Sequence, residues 1–142
     1  SNFVTLRLRN FFKKKKKILL LSDTHSHIDE TILKYVDQAD EVWHAGDIGD
    51  LMVTDTLKKR KPLKAVFGNI DSNEARMEFP LHNRFMCEGV DVWITHIGGY
   101  PGKYNPNIVK DIAFHQVRTM LRFMIAGDKI KDLEVIEIGK KA

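Results

Sequence analysis

Four short motifs place metal-binding side chains in a regular order along this chain: Asp23-Thr24-His25, Gly46-Asp47, Gly68-Asn69-Ile70-Asp71 and Thr95-His96. Carboxylate, amide and imidazole donors mixed in this way suit a divalent first-row ion such as manganese, iron, nickel or zinc. Two such ions about 3.5–4 Å apart need a carboxylate between them, and Asp47, in the middle of the series, is the natural bridge. Taken singly the motifs say little. Gly-Asp is an ordinary turn, Asn69 reads as a loop residue bonding its own backbone, and His96 reads as a hydrogen-bonded interior histidine. In order, and 22 to 27 residues apart, they form one candidate centre.

Each motif directly follows an apolar run, and these runs are the elements that must position it. Ile18 to Leu21 has the continuous apolar character of a buried parallel strand. Glu41 to Ala45, Leu63 to Phe67 and Val90 to Thr95 are further strands. Between the first three lie two helical patterns. Asp29 to Ala39 carries Ile32, Leu33, Val36 and Ala39 at helical spacing, with Asp29 or the residues just before it as N-cap. Leu51 to Lys61 turns Leu57 inward and is stopped by Pro62. Later the texture becomes antiparallel: Arg84 to Met86 turns through Glu88-Gly89 into Val90, and Met120 to Ile125 pairs with Leu133 to Ile138 around Gly127-Asp128. The whole reads as an α/β protein, whose ligands sit beyond the carboxyl ends of the strands. Alternation along an extended segment would turn Asp23 and His25 to one side and Thr24 to the other. The glycines at 46 and 68 permit the tight turns that bring the next residue to the rim.

The wording of these motifs resembles the calcineurin-like metallophosphoesterases, in particular the small bacterial and archaeal phosphodiesterase branch. The resemblance is carried by Leu20-Leu21-Ser22-Asp23-Thr24-His25, His44-Ala45-Gly46-Asp47-Ile48, Val66-Phe67-Gly68-Asn69-Ile70-Asp71 and Ile94-Thr95-His96-Ile97-Gly98, and it covers roughly residues 17 to 112. It implies a four-layer α/β/β/α sandwich, two mixed sheets flanked by helices. It also implies that Asp23 and His25 bind a first metal, that Asp47 bridges, and that Asn69 and His96 bind a second.

Two departures from the family pattern matter. Many members carry a histidine after Gly-Asn that protonates the leaving group; here Ile70 stands there and cannot move a proton. A leaving group that needs little protonation, such as an aryl alcohol, suffers least from that change. The second departure is the Gly-His-x-His motif, which in the family gives one imidazole to each metal and is not found between His96 and Ala142. Close by, an apparent helix from Pro106 to Ala113 runs into strand-like Phe114 to Ile125 with no turn residue, where a connection needs breaker chemistry. Both features predict that an internal segment bearing that motif and a strand is missing near 111–115.

Asp71 reads either as a group orienting a ligand or water near the metals or as a helix or turn cap. His27 reads as a phosphate-pocket residue or a plain loop histidine. These two are the candidate catalytic residues. His44 reads as a strand-end residue supporting the ligands, His82 as exposed and unpartnered, and Trp43 and Trp93 as core. Gly98 to Gly102 reads as a flexible loop that could shape the substrate mouth, and Lys103 and Tyr104 read as plain loop residues in preference to phosphate contacts.

Composition bounds the rest. Of 142 residues, 43% are apolar and 30% charged, as in an ordinary globular domain. No apolar run reaches the length of a membrane span, so no membrane association is expected. Cys87, the single cysteine, fits a reducing cytoplasm. Net charge is +4, but seven positive charges fall within residues 1–17, leaving −3 for the rest. Residues 1–17 are read as a basic tail or expression remnant and 18–142 as a single domain. A basic tail without a basic face argues against nucleic acid as a partner; binding through Lys13 to Lys17 would show steep salt dependence.

The expected activity is therefore hydrolysis of a small phosphate ester, diester or activated monoester, by a hydroxide held between two divalent metal ions (Mn, Ni, Fe or Zn). A homo-oligomer is compatible with the sequence. The rival reading is a non-catalytic, protein-binding scaffold on the same fold.

Overall fold

The computed structural model describes residues 15–96, 99–100, 103–104 and 117–140. In chain order the elements are β1 (Lys15–Leu21), α1 (Glu30–Gln38), β2 (Glu41–His44), α2 (Met52–Arg60), β3 (Leu63–Ala65), α3 (Asn73–Glu78), β4 (His82–Cys87), β5 (Val90–Thr95), β6 (Gly99–Tyr100), β7 (Lys103–Tyr104), β8 (Val117–Ala126) and β9 (Lys129–Lys140). Five strands form a mixed sheet in the order β3-β2-β1-β8-β9, parallel from β1 to β3 and antiparallel at β8 and β9. β4 and β5 form a second, two-stranded sheet, and β6 pairs with β7.

The apolar run of β1 explains how the layers stack. Successive strand residues face opposite ways. Leu19 and Leu21 therefore join Ile32 and Val36 of α1 and Leu57 of α2 in one core, while Ile18 and Leu20 join Trp43, Phe85, Val92, Ile94 and Phe123 in another. Helices cover the first face and the β4–β5 pair covers the second. The architecture is thus the expected α/β sandwich, in which the second sheet, among the described residues, is the antiparallel β4–β5 pair where the resemblance implied a mixed one; the Pro106–Ala113 helix and the break near 111–115 lie outside the described residues.

Local sequence sets the helix ends. Asp29 caps α1 as expected, its Oδ1 accepting from the Ile32 N–H at 2.9 Å. α3 was not anticipated; Ser72, not Asp71, caps it by accepting from the Ala75 N–H at 3.2 Å. β1 begins at Lys15 rather than Ile18, because β8 supplies partners for Lys15, Lys16 and Lys17. Trp43 fills the inter-sheet core edge-on to Phe85 and Phe123. Trp93 does not share that role: alternation along β5 turns it outward, where its Nε1–H donates to exposed His82 Nδ1 at 3.3 Å.

Candidate metal centre

The strand ends deliver their ligands through strained turns, not through extended backbone. Beyond Leu21, Asp23 (φ 56°) and His25 (φ 47°) are left-handed, as are Ser26 and Asp47 (φ 70° and 56°). Such conformations cost about 1–3 kcal/mol each for side chains of this kind and collect at functional sites. Strand alternation therefore does not place Asp23 and His25 together, as the sequence suggested; the left-handed turn does. Thr24 does face away, and is buried. Three backbone bonds weld this first turn to the second: Asp23 N–H to the Gly46 carbonyl, His25 N–H to that of Asp47, and Ser26 N–H to that of Ile48, at 2.9, 3.1 and 2.8 Å.

Gly46 and Gly68 are required by close approach. A Cβ on Gly46, which also has φ +99°, would lie 2.8 Å from His96 Nδ1. One on Gly68 would lie 2.2 Å from Asp47 Oδ1.

At the centre Asp47, buried, meets three other side chains. Its Oδ2 lies 3.3 Å from His96 Nε2 and 3.7 Å from His25 Nε2, and His25 Nε2 is 3.9 Å from Asp23 Oδ1. Donor atoms of Asp23, Asp47 and His96 all fall within 4.8 Å of one another. Each of these groups has one atom held and one free. Ser22 Oγ donates to Asp23 Oδ2 at 2.7 Å, and the Ile70 N–H donates to Asp47 Oδ1 at 3.2 Å. His96 Nδ1–H donates to the Ala45 carbonyl at 2.8 Å, which turns Nε2 toward the Asp47 carboxylate. A ring nitrogen bonded to a backbone carbonyl is how metal-binding histidines are oriented. The donor set therefore fits a divalent cation.

His44 braces the turns that carry Asp23 and Asp47. Its Nδ1 accepts from the Gly46 N–H at 3.1 Å, so its proton is on Nε2, which donates to Thr24 Oγ1 at 3.0 Å; that hydroxyl in turn donates to the Ile48 carbonyl at 2.9 Å. Burial lowers the His44 pKa to about 4, against partial opposition from Asp71 and Asp23, so the ring is neutral.

Of the proposed metal ligands the structure gathers Asp23, His25, Asp47 and His96. Asn69 sits exposed in the adjoining turn, next to the glycine that touches Asp47. The two catalytic candidates have partners of their own. His27 Nε2 contacts Asp29 Oδ2 at 2.8 Å, and the Asp29 carboxyl is held below its usual value first by the Ile32 N–H and then by His27. Asp71 is buried, both its oxygens accepting from backbone amides. Lys103 and Tyr104 lie in β7, and their side chains fall outside the described residues. Sequence reasoning missed Ser22, Thr24, Gly49 and Arg76 as supports; only Ser22 and Thr24 carried a signal, inside the first motif.

The comparisons agree with this architecture. The family profile described as the calcineurin-like phosphoesterase superfamily domain matches residues 17–128. Among solved structures, the Thermotoga maritima protein TM1076 is similar at 21% identity and TM-score 0.64, over 87% of this chain and 99% of that one. Chaetomium thermophilum Vps29 is similar at 11% identity and TM-score 0.59, over 88% and 99%. A Vps29 single mutant from Entamoeba histolytica is similar at 11% identity and TM-score 0.50, over 87% and 99%. These likenesses are of fold. No curated protein matches the chain by sequence.

Proposed function

This chain belongs to the calcineurin-like phosphoesterase superfamily, and we propose on that premise that it hydrolyses phosphate esters at a centre for two divalent cations. The observation that carries the reading is the convergence of Asp23, Asp47 and His96, each with one donor atom pinned and the other turned inward. Asp23 and His25 would hold one cation, Asn69 and His96 the other, and Asp47 would stand between them. Bound there, the cations would supply Lewis acidity toward a phosphoryl oxygen and a nucleophilic water at neutral pH.

The chain's own residues set the rest. Ile70, exposed beside the centre, offers no proton to a leaving group, so the favoured substrates are esters of acidic alcohols, aryl phosphodiesters above all. His27 would reach a phosphoryl oxygen by giving up its contact with Asp29. Left-handed turns fix the ligands before any ion arrives, which limits the ordering cost of binding.

Hydrolysis of bis(p-nitrophenyl) phosphate with added Mn²⁺ tests this. Wild type is expected to release nitrophenolate, and Asp47→Asn, folded by circular dichroism, to lose at least about 100-fold in rate, since it weakens both cation positions. A second reading, a non-catalytic scaffold, is favoured by one observation: no Gly-His-x-His follows His96. Cation binding with no turnover under manganese, nickel, iron or zinc would select it.

A further inference from the structure

The three ligand-bearing turns are not joined in the same way. Three backbone bonds connect the first turn to the second. Between the second turn, 46–50, and the third, 67–72, no backbone-to-backbone bond occurs among the described residues; the last one in that direction is Val66 N–H to the His44 carbonyl, back in the sheet. Beyond it the two turns are connected by side chains. Asp47 Oδ1 accepts from the Ile70 N–H at 3.2 Å, and Asp71 spans the gap.

Asp71 Oδ1 accepts from the Gly49 N–H at 2.9 Å and Oδ2 from the Gly68 N–H at 2.7 Å. Its carboxylate thus holds one amide from each turn while only 6% exposed. Charged acceptors make shorter and stronger bonds than neutral ones, and a carboxylate, having no donor, suits a position faced by two N–H groups. The third turn is also held from outside. Arg76, over the Phe67 ring at 4.7 Å, donates from Nε to the Asp71 carbonyl at 3.2 Å and from Nη2 to the Asn69 carbonyl at 3.3 Å.

We infer that Asp71 is a positioning residue: it ties the turn bearing Asp47 to the turn bearing Asn69 and so fixes the separation of these two ligands, with Arg76 locking the far side. The inference rests on the cation centre proposed above. It gives Asp71 a role exercised through the turns, each of its oxygens accepting from a backbone amide. Asn at this position would keep one acceptor and aim an NH₂ at the other amide.

The test uses the full chain and two measurements. In metal-free protein, amide hydrogen exchange at Gly49 and Gly68 is expected to accelerate in Asp71→Asn. In a Mn²⁺ titration followed by electron paramagnetic resonance, the same variant is expected to bind about 10–100-fold more weakly, the loss typical when a support of a metal ligand is removed. Arg76→Ala, a change at an exposed side chain whose folding circular dichroism checks, should shift Mn²⁺ affinity in the same direction by less. Ile136→Val, on β9 at the other edge of the sheet from β3, should lower stability with no change in Mn²⁺ affinity. Unchanged exchange at both glycines, or unchanged Mn²⁺ affinity in both the Asp71 and Arg76 variants, would overturn the assignment. Should Asp71→Asn not fold, Arg76→Ala decides. If wild type binds no Mn²⁺, the cation centre itself fails, and glycine exchange still decides whether Asp71 joins the turns.

Discussion

Gly68 shows how finely the centre is fitted at the scale of a residue. Gly68→Ala would press a methyl group into Asp47, whose Oδ1 lies 2.2 Å from the added carbon. Because that contact is with the central carboxylate, the variant is expected to fold with a lowered melting temperature and to lose most of its Mn²⁺ affinity, as calorimetric titration would show. His44 makes a different prediction, one of pH dependence. Its folded pKa, about 4, lies below the ordinary 6.5, so between these values the unfolded chain binds a proton that the folded chain does not. Stability should therefore be full above pH 6.5 and fall as pH drops toward 4, by up to about 3 kcal/mol. Urea denaturation at pH 7 and pH 4.5 checks this, and His44→Gln should flatten the part of the difference that His44 causes. Asp23, His25, Asp47 and His96 were legible in the sequence because each stands in a short motif at a strand exit. The means of presentation was not: left-handed conformations at Asp23, His25 and Asp47 are unusual for these residue types and depend on contacts from other turns. Asp71 was read either as a group orienting a ligand or water or as a cap, and its two amide partners come from backbone that no motif marks.

At the scale of elements, periodicity predicted well wherever burial was two-sided or strongly one-sided. Ile18 to Leu21 reads as a buried strand because both its faces are covered, and α1 carries its apolar stripe at Ile32 and Val36. Leu57, fully buried on α2 against the parallel strands, gives the corresponding prediction: Leu57→Ala should cost about 2–5 kcal/mol, the range for removing a buried leucine side chain. The α3 cap is a smaller lever, with Ser72→Ala expected to cost about 1 kcal/mol. What the sequence did not show has local causes. α3 has only six residues, one of them buried, so no periodic signal develops. β1 reaches back to Lys15 because β8, about a hundred residues later, pairs with it, a contact no local window contains. Trp93 was assigned to the core by its type, whereas its place in the alternation of β5 turns it outward to His82.

For the molecule as a whole, two cores built on opposite faces of one sheet hold three strand ends level, and the turns above them converge on Asp47. The second sheet brings His96 in from the other side: β5 ends at Thr95, and His96 docks on the Ala45 carbonyl in the gap left by Gly46. The centre thus draws on both sheets, and a cation bound there should stabilise the entire fold. At about 100 times its dissociation constant, Mn²⁺ would add about 2.7 kcal/mol. The most direct measurement is equilibrium dialysis of Mn²⁺ against wild type and against Asp23→Ala, Asp47→Asn and His96→Ala. Saturable Mn²⁺ binding by wild type, weakened in all three variants, is the expected result. No bound Mn²⁺ at millimolar concentration, or binding that all three variants retain unchanged, would contradict the proposed centre.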